Sequence, residues 1–282
     1  MGWLHLALKQ PPIAPLEAEC ISPTGFWGKS TDEITRLPLL HGRECVELGE
    51  FFDVQGSSPA DGSQAERVVV EGDLSRVKYL GFAMDRGTLS IRGSAGMHLG
   101  ERIAGGAIEV EGNADDWVGA QMSGGMIRVR GDAGNLVGAT LPGEKQGASG
   151  GCILIHGDAG GEVGASMSGG LIAVAGDCGR FAGVGMSGGI LAVCGNAGRR
   201  AGAGMTDGVL VCAGDLELLP TFAYSCDYRP IFLRLVWERL RRIGLEGWIQ
   251  PRQVNGLYSR YLGDANDRGK GEILLCQTEN NA

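Results

Sequence analysis

No two of the eight cysteines stand in a C-x-x-C spacing, so the usual signature of a zinc ribbon or a dithiol redox centre is missing. Cys20, Cys45, Cys152, Cys178, Cys194, Cys212, Cys226 and Cys276 read mostly as small buried apolar residues. Histidine is scarce too. His5, His41, His98 and His156 are the four, and none is spaced with Ser, Cys or Glu as a catalytic motif needs. Positive charge is in deficit, 25 Lys and Arg against 33 Asp and Glu, and a net charge of -8 offers no basic footprint for nucleic acid or an anionic membrane. No apolar run approaches the length of a membrane span. The opening Met1-Gly2-Trp3-Leu4-His5-Leu6 lacks the basic flank of a secretory signal, and Leu6 stands where myristoylation requires Ser or Thr. A cytoplasmic location is expected.

Glycine is what the chain has in plenty, fifty of 282 residues, and it falls on a period. Counting the glycine that follows each short apolar strand gives Gly93, Gly112, Gly131, Gly157, Gly176, Gly195 and Gly214, with steps of 19, 19, 26, 19, 19 and 19 residues. The long step holds seven inserted residues, 141–147. A period near 19 belongs to solenoids, in which each repeat buries its apolar face only by stacking on its neighbours. Side chains alternate along a strand, so positions four and two before the glycine share one face. The first column reads Leu89, Ile108, Ile127, Ile153, Ile172, Leu191 and Leu210, and the second Ile91, Val110, Val129, Ile155, Val174, Val193 and Cys212. Six past the glycine stand Leu99, Val118, Val137, Val163, Ala182 and Ala201; ten past stand Ile103, Met122, Leu141, Met167, Met186 and Met205. The repeating glycines are expected where tight corners need positive φ or close backbone approach. The expected fold is all-β, a right-handed parallel β-helix of about seven 19-residue coils, roughly 34 Å long at the spacing of neighbouring strands.

Three segments follow from this. Residues 1–66 lie outside the clean repeat and read as an N-terminal cap that covers the open end, with Ser30-Thr31-Asp32-Glu33 as a helix capping box. Residues 67–215 form the repeat. Residues 216–282 carry a helix over 230–243 and then, from 263 to 282, a polar, loosely held tail with at most one strand, 272–276. Outward positions change character along the repeat. Ser90, Glu109 and Arg128 give way to Leu154, Ala173, Ala192 and Val211, and Arg92, Glu111 and Arg130 to His156, Ala175, Cys194 and Ala213. Glu109 beside Arg128, and Glu111 between Arg92 and Arg130, pair opposite charges across neighbouring strands. The late apolar patch should be covered, either by the helix, whose stripe is Phe232, Leu233, Val236, Trp237, Leu240 and Ile243, or by another subunit. Leu154, Ala173, Ala192, Val211, Phe232 and Trp237 are therefore the candidate interface residues.

Simpler readings account for the candidate chemistry. Gly28-Lys29-Ser30 is not a phosphate loop, because Pro23 stands where its first glycine belongs; Ser30 reads as a helix cap. An Asx column follows the marker glycine, Asp73, Asn113, Asp132, Asp158, Asp177, Asn196 and Asp215, broken only by Ser94. Turns in which each side chain bonds its own backbone explain it without metal. The nine-residue period of a calcium β-roll is absent. His98 shares its slot with Trp117, Leu136, Phe181 and Arg200, as a packed variant would. No catalytic, cofactor or metal residue is assigned. A scaffold subunit is the expected role.

The repeat resembles the Gly-x-x-Gly-x-x-x-Gly β-helix, the GXGXG domain shared by the C subunit of formylmethanofuran dehydrogenase and the C-terminal domain of the large subunit of glutamate synthase. Pro15-Leu16-Glu17-Ala18-Glu19, Gly28-Lys29-Ser30, Leu37-Pro38, Leu48-Gly49-Glu50-Phe51-Phe52 and Gly72-Asp73-Leu74-Ser75 are similar to the opening of the dehydrogenase C subunit. Leu219-Pro220-Thr221-Phe222 and Arg229-Pro230-Ile231-Phe232-Leu233-Arg234-Leu235 look most like the C subunit of the bacterial formyltransferase/hydrolase complex. The resemblance implies a non-catalytic subunit in one-carbon metabolism, where a formyl group passes from formyltetrahydromethanopterin to a methanofuran-type carrier and leaves as formate. It implies hydrolase, formyltransferase and B-type subunits as partners. The carrier, tetrahydromethanopterin and the metal are then expected in those partners, not in this chain. A molybdenum or tungsten formylmethanofuran dehydrogenase is the near alternative. A glutamate synthase spacer domain is the more distant one, disfavoured because no amidotransferase or synthase segment is present.

Overall fold

The computed structural model describes residues 2–57, 65–267 and 269–277. They are mostly strands, in one 13-stranded sheet and one 4-stranded sheet, with few helices. Eight strands stand side by side, all parallel: Ala65–Glu71, Thr88–Arg92, Ala107–Val110, Met126–Val129, Ser149–Ile155, Gly169–Val174, Ser187–Val193 and Asp207–Cys212. Their register places Leu89, Ile108, Ile127, Ile153, Ile172, Leu191 and Leu210 in one row and the Ile91-to-Cys212 column in another, every member buried. Aliphatic and β-branched residues at period two explain both the strands and the burial.

A second row of parallel bridges, one residue wide, runs through Leu74, Ala95, Ala114, Ala133, Ala159, Cys178, Ala197 and Leu216. Small side chains suit it. Leu99, Val118, Val137, Val163, Ala182 and Ala201 complete the core from another side. The methionine column differs from expectation at one member. Ile103, Met122, Met167, Met186 and Met205 are buried, but Leu141 is half-exposed and Ala148 occupies the slot, its amide donating to Gly138 O (2.8 Å) as the Met167 amide donates to Gly164 O (3.0 Å). The inserted residues thus begin with Leu141 itself.

The marker glycines serve close approach rather than positive φ, which among them only Gly93 adopts (143°). A Cβ on Gly157 would lie 2.0 Å from Asp132 Oδ1. Positive φ lies elsewhere in each level: Gly100, Gly119, Gly138, Gly164, Gly183 and Gly202, seven past the marker, adopt it at 62–72°, and the non-glycine residues His98, Trp117, Leu136, Glu162, Phe181 and Arg200 adopt it at 60–64°. The six non-glycine residues stand five past the marker glycine, so the corner is repeated at each level.

The N-terminal segment joins the same core. Gly2–Leu8 pairs parallel with Ala65–Glu71 and antiparallel with Phe52–Ser57, burying Leu4 and Leu6. Ser30 and Glu33 form the capping box: the Glu33 amide donates to Ser30 Oγ (3.3 Å) and the Ser30 amide to Glu33 Oε2 (2.7 Å). Leu16–Glu17 ties this segment to Val77–Lys78 in the smaller sheet.

Beyond Gly263 the C-terminal tail carries the one strand expected among the described residues, Gly271–Cys276, but corrects the expectation that it is loosely held. Ala223–Tyr228, Tyr258–Gly263 and Gly271–Cys276 are all strands, and the last pairs parallel with Asp207–Cys212, Ile273 beside Leu210 and Leu275 beside Cys212. Ile273 and Leu274 are buried on opposite faces of the strand, so an apolar run is fixed from both sides. Residues 278–282 of that tail lie outside the described residues. The helix is Ile231–Leu240, shorter than expected, followed by a π-helical turn Arg241–Leu245 in which Gly244 has φ 130°.

Candidate functional site

Leu154, Ala173, Ala192 and Val211 point to the face opposite the main core, and all four are buried. The helix Ile231–Leu240 covers them: Leu233, Trp237 and Leu240, spaced for one helical stripe, join them with Tyr258 and Leu274 in a second hydrophobic cluster. Trp237 is fully buried, and Trp237 Nε1 donates to Tyr258 Oη (3.0 Å), which donates to Gln253 O (2.7 Å). Of the candidate interface residues only Phe232 stays on the surface, at 38% exposure. The chain itself thus buries the patch.

Two residues missed in the sequence hold the end of this helix. Arg128 is only 20% exposed at its side chain; Nη1 meets Glu109 Oε1 at 3.2 Å and Nη2 donates to Ile243 O. A guanidinium there also faces the negative end of the helix, which favours it. His156 lies between Val129 O (2.9 Å from Nδ1) and Gly244 O (3.0 Å from Nε2). The signal was the change in the outward columns at Arg128 and His156, where charge gives way to apolar residues. Glu109 pairs as expected with Arg128, whereas Arg92 pairs with Glu71 (3.5 Å).

The Asx column makes a ladder between levels instead of the local turns expected. Asn113 Oδ1 accepts from the Asp132 amide (2.9 Å), Asp132 Oδ1 from Asp158 (2.9 Å), Asp158 Oδ1 from Asp177 (2.8 Å), Asp177 Oδ1 from Asn196 (2.7 Å) and Asn196 Oδ1 from Asp215 (2.8 Å). Within the column, Asp73 alone bonds its own turn, through the Ser75 amide (3.2 Å). The levels stack directly, so the next backbone N–H is nearer than the residue's own corner. Each marker glycine leaves room for the oxygen below it.

The titratable groups are occupied in structure. His98 stacks between Tyr79 (4.6 Å, 17°) and Trp117 (5.0 Å, 3°), and Nδ1 meets the buried carboxylate of Glu101 at 2.7 Å. Burial, reinforced by the carboxylates of Glu101, Glu17 and Glu19, raises the Tyr79 hydroxyl above its ordinary pKa. All eight thiols are free. Burial pushes Cys20, Cys152, Cys194 and Cys212 up to about 11 and Cys178 further, so these are not nucleophiles at neutral pH. Among the described residues no group of three or more His, Cys, Asp or Glu could hold a metal ion, and no helix is long and apolar enough to cross a membrane. A cleft of about 360 Å³ lined by Pro11, Pro12, Ile13, Asp73, Ser75 and Arg76 spends its charged groups locally, Arg76 Nη1 donating to Ile13 O (2.7 Å).

The GXGXG motif family matches residues 69–228. The C subunit of the tungsten-containing formylmethanofuran dehydrogenase 2 of Methanothermobacter wolfeii is 41% identical over 100 residues, 36% of this chain and 37% of that protein. The C subunit of the molybdenum-containing formylmethanofuran dehydrogenase 1 of Methanosarcina barkeri is 42% identical over 85 residues, 30% of this chain and 28% of that protein. The chain therefore matches only 37% and 28% of the length of these two relatives. Among solved structures, a chain of the formyltransferase/hydrolase complex (FhcABCD) from Methylorubrum extorquens, in complex with methylofuran, superposes with a TM-score of 0.86 at 30% identity, covering 97% of this chain and 100% of that one.

Proposed function

The chain belongs to the GXGXG motif family, and from that premise we propose that it is a non-catalytic structural subunit of a formyltransferase/hydrolase complex. The observation that carries the reading is the likeness, along 97% of its length, to a chain of such a complex. The side chains support it. His98, Glu101, Arg128, His156 and the Asx column are engaged in stacking, helix clamping and level-to-level hydrogen bonds. In this reading the hydrolase, formyltransferase and B-type subunits hold the methanofuran-type carrier, tetrahydromethanopterin and the metal, and the assembly works in the cytoplasm.

The 19-residue levels form a right-handed parallel β-helix of about seven coils over 67–215, with 1–66 as its N-terminal cap and 216–282 as the covering segment. In-register parallel strands on one side and the single-residue bridges on another support this coiling. A second reading, the C subunit of a molybdenum or tungsten dehydrogenase, draws on the 41% identity to the tungsten enzyme's subunit. Purified chain should neither transfer formyl groups nor hydrolyse a formyl carrier, and it should co-purify stoichiometrically with the other subunits. Catalysis by the chain alone would sink the scaffold role. Molybdenum or tungsten in the native complex would select the dehydrogenase.

A further inference from the structure

A helix that covers a core needs one apolar stripe, and Leu233, Trp237 and Leu240 supply it. The same helix carries a second apolar pair on its outer side. Ile231 and Leu235, four residues apart, are 81% and 65% exposed, and Phe232 flanks them. Trp248, just beyond the π turn, is also exposed. Among the described residues nothing covers these apolar groups, and their cost in water is unrelieved.

Charge singles out the same segment. Residues 229–252 contain six arginines (229, 234, 239, 241, 242 and 252) against two glutamates (238 and 246), a net +4 in a chain whose total is -8. Arg229, Arg234, Arg239 and Arg242 are exposed. Arginine beside aromatic and aliphatic anchors is the composition of interface centres, where a planar guanidinium meets carboxylates in two-point fashion.

We propose that the outer face of the helix Ile231–Leu240, with Trp248, is a docking surface for an acidic face of a partner subunit in the same assembly. Ile231 and Leu235 are the anchors, and Arg239 and Arg242 supply the complementary charge. The proposal rests on the subunit reading above and names the surface through which it is realised. An acidic occupant follows from the local excess of positive charge, since association of this patch with a neutral or basic face would leave the arginines opposed or unpaired.

The test uses the full chain, co-expressed with the formyltransferase, hydrolase and B-type subunits, and compares Ile231→Glu/Leu235→Glu, Arg239→Glu/Arg242→Glu and the control Arg43→Glu, an exposed residue of the N-terminal hairpin. All three variants should keep the wild-type thermal midpoint, because the altered side chains are exposed. Both helix variants should lose at least tenfold in affinity for the remaining subunits, the control should not, and wild-type affinity should fall as salt rises. Wild-type affinity in the two helix variants overturns the docking surface while leaving the subunit reading intact. Failure of the wild-type chain itself to assemble overturns the subunit reading. Self-association of the isolated chain that both helix variants abolish, seen by sedimentation, makes a second copy the occupant and also overturns the proposal.

Discussion

Gly157→Ala isolates the relation between the marker glycines and the Asx ladder. The new Cβ would stand 2.0 Å from Asp132 Oδ1 and 2.9 Å from Gly131 O. Asp132 must swing away and release the Asp158 amide, which it holds at 2.9 Å. That hydrogen bond to a charged acceptor near solvent is worth about 1.5 kcal/mol. The residual backbone crowding adds about 2 kcal/mol. Reduced freedom of the unfolded chain returns about 0.5 kcal/mol, since Gly157 does not have the positive φ that alanine avoids. The expected loss is about 3 kcal/mol. Asp132→Ala should cost about 1.5 kcal/mol through the same hydrogen bond. The double variant cannot lose that bond twice, so it should cost about 3 rather than about 4.5 kcal/mol. Urea unfolding at constant slope gives the four stabilities, and hydrogen exchange at the Asp158 amide reports the bond directly. Costs that add within about 0.5 kcal/mol would refute the shared hydrogen bond and with it the explanation of the glycine column.

Tyr258→Phe should cost about 1–3 kcal/mol in thermal or urea unfolding, because it strands the buried Trp237 N–H and the Gln253 carbonyl, whereas Tyr224→Phe on the exposed strand should be nearly silent. Ala192→Glu and Arg128→Glu should both release the covering helix, the first by burying a charge and the second by removing the Ile243 clamp; trypsin cleavage at Arg239, Arg241 and Arg242 should accelerate in each, and unchanged cleavage would mean that neither contact holds the helix. Native chain should react with iodoacetamide at exposed Cys45 and Cys226 before the buried thiols. Thiols raised by burial bind their protons more tightly in the folded state, so their stabilisation is complete below about pH 9 and declines as pH rises towards about 11, the folded value of Cys20, Cys152, Cys194 and Cys212. Cys178→Ala, which matches its alanine neighbours in the bridge row, should flatten that alkaline decline; an unchanged slope would contradict the assignment.

The inward columns were legible because period two within a strand and 19 between strands leave no freedom about which side faces the core. The insertion over 141–147 is placed correctly, but Leu141 is misread as a member of the buried column, since counting ten from Gly131 lands on the first inserted residue, and only the Ala148 hydrogen bond to Gly138 identifies the resumption. Arg128 looks solvated in sequence because its column records only its strand neighbours. The carbonyl that occupies it belongs to Ile243, 115 residues later. Gly271–Cys276 carries neither a marker glycine nor the interval, so a repeat search passes over it although it is the next parallel strand. The ladder acceptors stand out as a column, yet their partners lie one level away rather than in their own turns, because sequence shows the interval and not the vertical distance between levels.

The pairing of Gly271–Cys276 with Asp207–Cys212 also sets an order of events in time. Within the repeat most neighbouring rungs are 19 residues apart, but Ile273 meets Leu210 across 63 residues and Val68 meets Leu4 across 64. Closing the longer loops costs roughly 1 kcal/mol more in chain entropy than adding an ordinary rung. The middle of the stack can therefore propagate rung by rung during synthesis, while both ends wait for distant chain. Gly2–Leu8 leaves the ribosome long before Ala65–Glu71 exists to receive it, and for that interval Leu4 and Leu6 have no core to enter. Slow steps in refolding, and the need for protection against aggregation, should concentrate at the two ends.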